Sequence, residues 1–131
     1  MAKQTKPFRR HPKDEPRLAF VGPCGSGKST ITKRLREQGL DVRMPAQEHS
    51  GVPDMWQKLL HPDYLIALDA PNDVLRERRP GVDLTDEVLA EERRRLAHAF
   101  AHADLTINTS TLSVEEVVKQ VMEWLAEQDK E

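Results

Sequence analysis

The sequence predicts an α/β fold, a three-layer α/β/α sandwich built on a short parallel sheet. Two observations carry that expectation. Apolar runs of strand length alternate with helical stretches along the chain, an order that buries its apolar surface when the strands lie parallel between layers of helices. One run, Tyr64-Leu65-Ile66-Ala67-Leu68, is apolar at successive positions. A strand of that kind is covered on both faces, as in the middle of a parallel sheet.

The elements follow in order. Arg17 to Val21 is a short apolar run, held to strand length by the glycines behind it. Lys28 to Gln38 reads as a helix, with Ile31 and Leu35 on one face and Gly39 placed to end it. Asp41 to Ala46 is a weaker strand. Val52 to Leu60 reads as a short helix with Val52, Met55, Trp56, Leu59 and Leu60 on one side. Asp63 to Asp69 is the clearest strand. Pro71 suits the first turn of a helix running to about Arg79, which Pro80-Gly81 ends. Thr85 to His102 is a longer helix with Leu89, Leu96 and Phe100 inward. Asp104 to Asn108 alternates and reads as a strand. Ser113 and Glu116 form a capping box that opens the last helix, whose stripe is Val114, Val117, Val118, Val121 and Leu125. Trp124 beside that stripe reads as a core or edge anchor.

The chain has 131 residues, enough for one core. Residues 17–131 are therefore expected to form a single domain. Residues 1–16 hold three prolines and one large apolar side chain, Phe8, and read as a flexible basic tail. Net charge is −2, of which residues 1–17 contribute +4 and the remainder −6. That balance argues against nucleic acid as the partner. No apolar stretch approaches the length of a membrane span, and the start of the chain lacks the apolar centre of a secretory signal. With Cys24 the one cysteine, an internal disulfide and a cysteine-rich zinc site are excluded. The expected location is the cytoplasm.

Chemistry concentrates where the first strand ends. Gly22-Pro23-Cys24-Gly25-Ser26-Gly27-Lys28-Ser29-Thr30 contains the phosphate-binding pattern Gly-x-x-x-x-Gly-Lys-Ser, after a strand and at the opening of a helix. Glycines let successive amides turn inward as an anion cradle, and the helix adds its positive end. Lys28 supplies a mobile charge for the β- and γ-phosphates, and the Ser29 hydroxyl can ligate Mg²⁺. Gly25 and Thr30 fit the same loop, and Cys24 is expected to contribute its amide more than its thiol. A cradle binds; turnover needs a carboxylate to hold the metal or orient a nucleophile. Glu48, in the cluster Gln47-Glu48-His49-Ser50, is the favoured candidate. Asp69, at the carboxyl end of the third strand, is a second metal candidate that also reads as a helix cap. Two arginine groups, Arg76/Arg78/Arg79 and Arg93/Arg94/Arg95, can each supply a cation for a transferred phosphoryl group; Arg76 and Arg93 represent them as catalytic candidates. His98 and His102 share a helix face without a third ligand in view.

Three segments together resemble the nucleoside-monophosphate-kinase-like group of P-loop NTPases. They are the 22–30 loop; Tyr64 to Arg78, similar to the later strand and arginine-bearing helix of thymidylate kinases; and Ala103 to Ser110 with Val114 to Val118, similar to their final strand and helix. The resemblance implies a P-loop NTPase fold with strand order 2-1-3-4, and ATP with Mg²⁺ as ligands. The chain departs from the family in size. Residues 40–62 leave no room for a full acceptor domain, and the lid is reduced to about 80–85. The guanine-selecting Asn/Thr-Lys-x-Asp motif is absent, as is the Leu-Ser-Gly-Gly-Gln signature. Two functions are expected: a compact kinase-like phosphotransferase or ATPase acting on the γ-phosphate, with an unknown small-molecule acceptor, or a non-catalytic nucleotide-binding module that regulates a protein partner.

Overall fold

In the computed structural model, residues 16–128 are described. The expected basic tail, residues 1–16, lies outside them apart from Pro16. The elements run β1 (Arg17–Val21), α1 (Lys28–Glu37), β2 (Asp41–Arg43), a 3-10 turn (Gln47–His49), α2 (Met55–Leu60), β3 (Tyr64–Asp69), α3 (Asn72–Arg78), α4 (Asp86–His102), β4 (Leu105–Asn108) and α5 (Val114–Gln128). The four strands form one all-parallel sheet in the order β2-β1-β3-β4, as expected.

The two faces of the sheet read directly from residue parity. Leu18 and Phe20 of β1 point the same way as Tyr64, Ile66 and Leu68 of β3, and pack against Ile31 and Leu35 of α1 and Val117, Val121 and Leu125 of α5. Trp124 meets Tyr64 edge to face at 5.1 Å. Ala19, Val21, Leu65 and Ala67 point the other way, under Trp56 of α2 and Leu96 and Ala99 of α4. Small residues on this second face let α4 approach closely. A third cluster of Ala70, Leu75, Leu84 and Leu89 closes the sheet end between α3 and α4.

Two elements are shorter than their sequence suggests. β2 pairs with β1 only from Asp41 to Arg43. Pro45 has no amide hydrogen to continue the ladder, and the chain turns into the 3-10 turn instead. α2 begins at Met55 because Pro53 lies in the preceding turn, where the Val52 carbonyl accepts from the Met55 amide at 3.2 Å. Of the expected stripe only Trp56 is buried, while Val52 and Leu59 face solvent. No described helix is long and apolar enough to cross a membrane.

Sheet order positions the site. From β1 the chain goes first to one neighbour, β2, and then to the other, β3. The crevice at the carboxyl ends of β1 and β3 is the place where such sheets bind ligands. The loop after Val21 opens into it.

Candidate phosphate-binding site

The loop between β1 and α1 is fixed by its own backbone. Ser26 donates its amide to the Pro23 carbonyl at 3.1 Å, Gly25 and Gly27 sit at φ +89° and +104°, and Gly27 caps α1. Those two angles are left-handed backbone, which glycine adopts without steric cost. Gly22 serves a different need: a Cβ there would lie 2.3 Å from the Leu68 carbonyl oxygen and 2.7 Å from Ser26 Oγ. The loop therefore lies directly against β3.

Two contacts stitch the loop to the far strands. Thr109, just past β4, donates its hydroxyl to the Ser26 carbonyl at 2.9 Å. Arg78, at the end of α3, donates to the Gly25 carbonyl at 3.2 Å and to the Thr109 hydroxyl and carbonyl at 2.9 and 2.5 Å.

Lys28 and Glu48 meet above the loop. Lys28 Nζ donates to the Gly22 carbonyl and to Glu48 Oε2, the latter at 2.5 Å. Both side chains are more than nine-tenths buried. Glu48 is presented by the 3-10 turn, which Gln47 anchors. The Gln47 amide donates to the Val52 carbonyl at 2.8 Å and its oxygen accepts from the Trp56 amide at 2.9 Å. Glu48 Oε1 and Ser26 Oγ are buried with no hydrogen-bond partner among the described residues. A buried polar atom of that kind costs free energy unless something pairs with it. Ser29 and Thr30, at the first turn of α1, are exposed.

A cleft of about 630 Å³ opens here. It is walled by the loop from Pro23 to Thr30, by Met44 to Ala46, Glu48 and His49, by Arg78 and Arg79, and by Thr109 and Leu112 to Val114. The polar wall surrounds the loop, and an apolar wall stands at the start of α5.

Asp69, Arg76 and Arg93 are not in that wall. Arg93 donates to both Asp69 oxygens at 2.8 and 2.9 Å, and also to the Ala70 carbonyl and the Asn72 side chain. Asp69 Oδ1 further accepts from the Ala70 amide at 2.8 Å. Arg76 binds Asp86 at 2.7 Å and the Leu84 carbonyl at 3.2 Å. From the first arginine group, Arg78 and Arg79 face the cleft instead. The only sequence signal for Arg78 was membership of that group; Thr109 and Leu112 had none beyond lying past a strand end.

Cys24 completes the loop on the α4 side. Its amide donates to Glu92 Oε1 at 3.0 Å. Its thiol is pushed up from the usual cysteine value by burial first, then by its hydrogen bond to Glu92 and the charges of Glu92 and Glu48, with Lys28 opposing.

No family model matches the chain. It is 29% identical, in an alignment 140 positions long with gaps, to a protein of Archaeoglobus fulgidus described as "Putative adenylate kinase", with 79% of each chain covered.

Proposed function

We propose that this chain binds Mg-ATP along the 22–30 loop and acts on the γ-phosphate, as a compact kinase-like phosphotransferase or ATP hydrolase. The observation that carries the reading is the buried pair of Lys28 and Glu48 at the loop mouth, 2.5 Å apart. An ammonium beside a glycine loop that opens a helix N-terminus is what a triphosphate tail requires. Similarity to a protein described as "Putative adenylate kinase" supports the same chemistry.

The donor set also fits a magnesium ion. Ser29 offers an exposed hydroxyl beside the loop, and Glu48 offers a carboxylate whose Oε1 has no other partner among the described residues. A hard cation with oxygen ligands suits that pair. Mg²⁺ held there neutralises charge on the phosphate oxygens. Lys28 exchanges Glu48 for the β- and γ-phosphates as the nucleotide enters, which frees Glu48 to hold the metal or align the attacking oxygen. Arg78 and Arg79 face the transferred group. Asp69, Arg76 and Arg93 work one step back, ordering the end of β3 and the α3–α4 junction. The apolar wall at Leu112 and Val114 receives the base.

A second reading has its own observation. Between Arg78 and Asp86 the chain has only seven residues, too short for a large lid to exclude water over the phosphates. That favours slow hydrolysis, or binding that regulates a protein partner.

Phosphate release and transfer to a panel of nucleoside monophosphates, with and without Mg²⁺, separate these readings. Lys28→Ala is expected to lose nucleotide affinity. Glu48→Gln is expected to keep affinity and lose turnover. If both variants turn over like the wild type, the enzymatic reading is wrong. Nucleotide binding without Mg²⁺-dependent turnover in the wild type leaves the binding module.

A further inference from the structure

We propose that Cys24, His49 and Glu92 form a binding site for a borderline-soft divalent cation of the zinc class, beside the phosphate loop and adjoining the Glu48 carboxylate, whose Oε2 lies 3.8 Å from His49 Nε2, with a ligand set that differs from the Ser29–Glu48 pair proposed for magnesium. The ligand atoms of these three residues all lie within 4.8 Å of one another. Cys24 Sγ and His49 Nε2 are 3.8 Å apart.

Glu92 is the reason to look here. It lies on the inward stripe of α4, in series with Leu89, Leu96 and Ala99, and is only 4% exposed. A carboxylate on an apolar stripe is costly unless paired. Among the described residues it forms no salt bridge, and its partner is Cys24, through the amide at 3.0 Å and the thiol. Zinc accepts sulfur, imidazole and carboxylate ligands together, at bond lengths of about 2.0–2.3 Å, so tetrahedral ligand atoms stand about 3.3–3.6 Å apart. The sulfur–imidazole pair is close to that spacing already. The widest pair closes with a side-chain movement of about 1 Å.

Three elements converge to make the set. The loop supplies Cys24, the 3-10 turn supplies His49 and α4 supplies Glu92. Cys24 and His49 also line the cleft, so the remaining coordination position faces water or an anion there. Three protein ligands with one open position is the pattern of a zinc site that exchanges a ligand. Magnesium does not compete, because a thiolate and an imidazole suit softer ions. On binding, the metal–sulfur bond replaces the sulfur–hydrogen bond and one proton passes to the buffer.

Cobalt is the probe. The chain has one cysteine, so a sulfur-to-cobalt charge-transfer band can arise only at Cys24. Full-length protein without nucleotide, titrated with Co²⁺, is expected to develop that band to saturation at one ion per chain and to lose it on adding Zn²⁺. Cys24→Ser is expected to abolish the band. His49→Ala and Glu92→Gln are expected to weaken Co²⁺ binding at least about tenfold. Ser29→Ala is expected to leave the titration unchanged. No charge-transfer band in the wild type overturns the proposal, and so does a wild-type titration by His49→Ala. His49 is solvent-facing, so that variant keeps the test decisive should circular dichroism show Glu92→Gln unfolded.

Discussion

Replacing Gly22 with alanine tests the claim that the loop rests directly on β3. The added Cβ would stand 2.3 Å from the Leu68 carbonyl oxygen and 2.7 Å from Ser26 Oγ. Leu68 is fully buried in a strand paired on both sides, so its carbonyl cannot retreat alone. Overpacking against fixed backbone costs about 2–3 kcal/mol. For a domain of this size, each kcal/mol lowers the melting temperature by about 4 °C, so the expected loss is about 8–12 °C. Two other glycines calibrate it. Gly39 has φ +90° and open space within 4 Å of where a Cβ would stand, so Gly39→Ala carries backbone strain alone, about 1 kcal/mol and about 4 °C. Gly51 has neither constraint, and its alanine variant is expected to stay within about 0.5 kcal/mol of wild type. Thermal melts followed by circular dichroism give the ranking. Gly22→Ala melting together with Gly51→Ala would refute the reasoning, because the loop could then not lie where the β3 carbonyl excludes a side chain.

Other outcomes follow from the same geometry. Ser113 Oγ accepts from the Glu116 amide at 3.1 Å and the Glu116 carboxylate accepts from the Ser113 amide at 2.7 Å, so Ser113→Ala is expected to cost about 1 kcal/mol in urea titrations. Those hydrogen bonds, the backbone one first, hold the Glu116 carboxyl below its usual range. Its contribution is therefore present above the unfolded carboxyl value and lost as pH falls through the folded one; Glu116→Gln should flatten that part of an acid titration of stability. Burial and Glu92 raise the Cys24 thiol, so alkylation by iodoacetamide is expected to be slow at neutral pH and faster in Glu92→Gln. By the same linkage the folded state holds that proton to higher pH, and stability falls as pH rises through the unfolded and folded thiol values. Arg93→Ala leaves a half-buried Asp69 without the guanidinium nitrogen that reaches both its oxygens and is expected to cost about 1–3 kcal/mol; adding Asp69→Asn should recover part of that in a double-mutant cycle.

The sheet was legible because its signals are strong and local. β1 and β3 are short apolar runs bounded by glycine, proline and charge, and the glycine-lysine-serine pattern marks where the first one stops. The capping box announced α5, and Thr85, whose hydroxyl accepts from the Val88 amide at 3.1 Å, marks the start of α4. What the sequence hid depends on distance along the chain. The short β2 and the late start of α2 follow from Pro45 and Pro53, residues whose effect is simple but easily outvoted by apolar periodicity. Gln47 looked like a polar loop residue, yet it is fully buried and holds the turn that presents Glu48. Glu92 stands at helical spacing between Leu89 and Leu96, so the stripe itself carries a carboxylate inward; what the sequence hid is its partner, the Cys24 amide 68 residues away. Among three clustered arginines, the helical phase and the exit of β4 select Arg78 for the loop, and neither can be read from composition.

The stitches from Arg78 and Thr109 to the Gly25 and Ser26 carbonyls bear on how this chain is made. During synthesis the loop at residues 22–27 leaves the ribosome well before β4, and its final shape waits for a threonine more than eighty residues later. A nascent chain halted before β4 would carry the full phosphate-loop sequence and still lack the tie that sets its curvature.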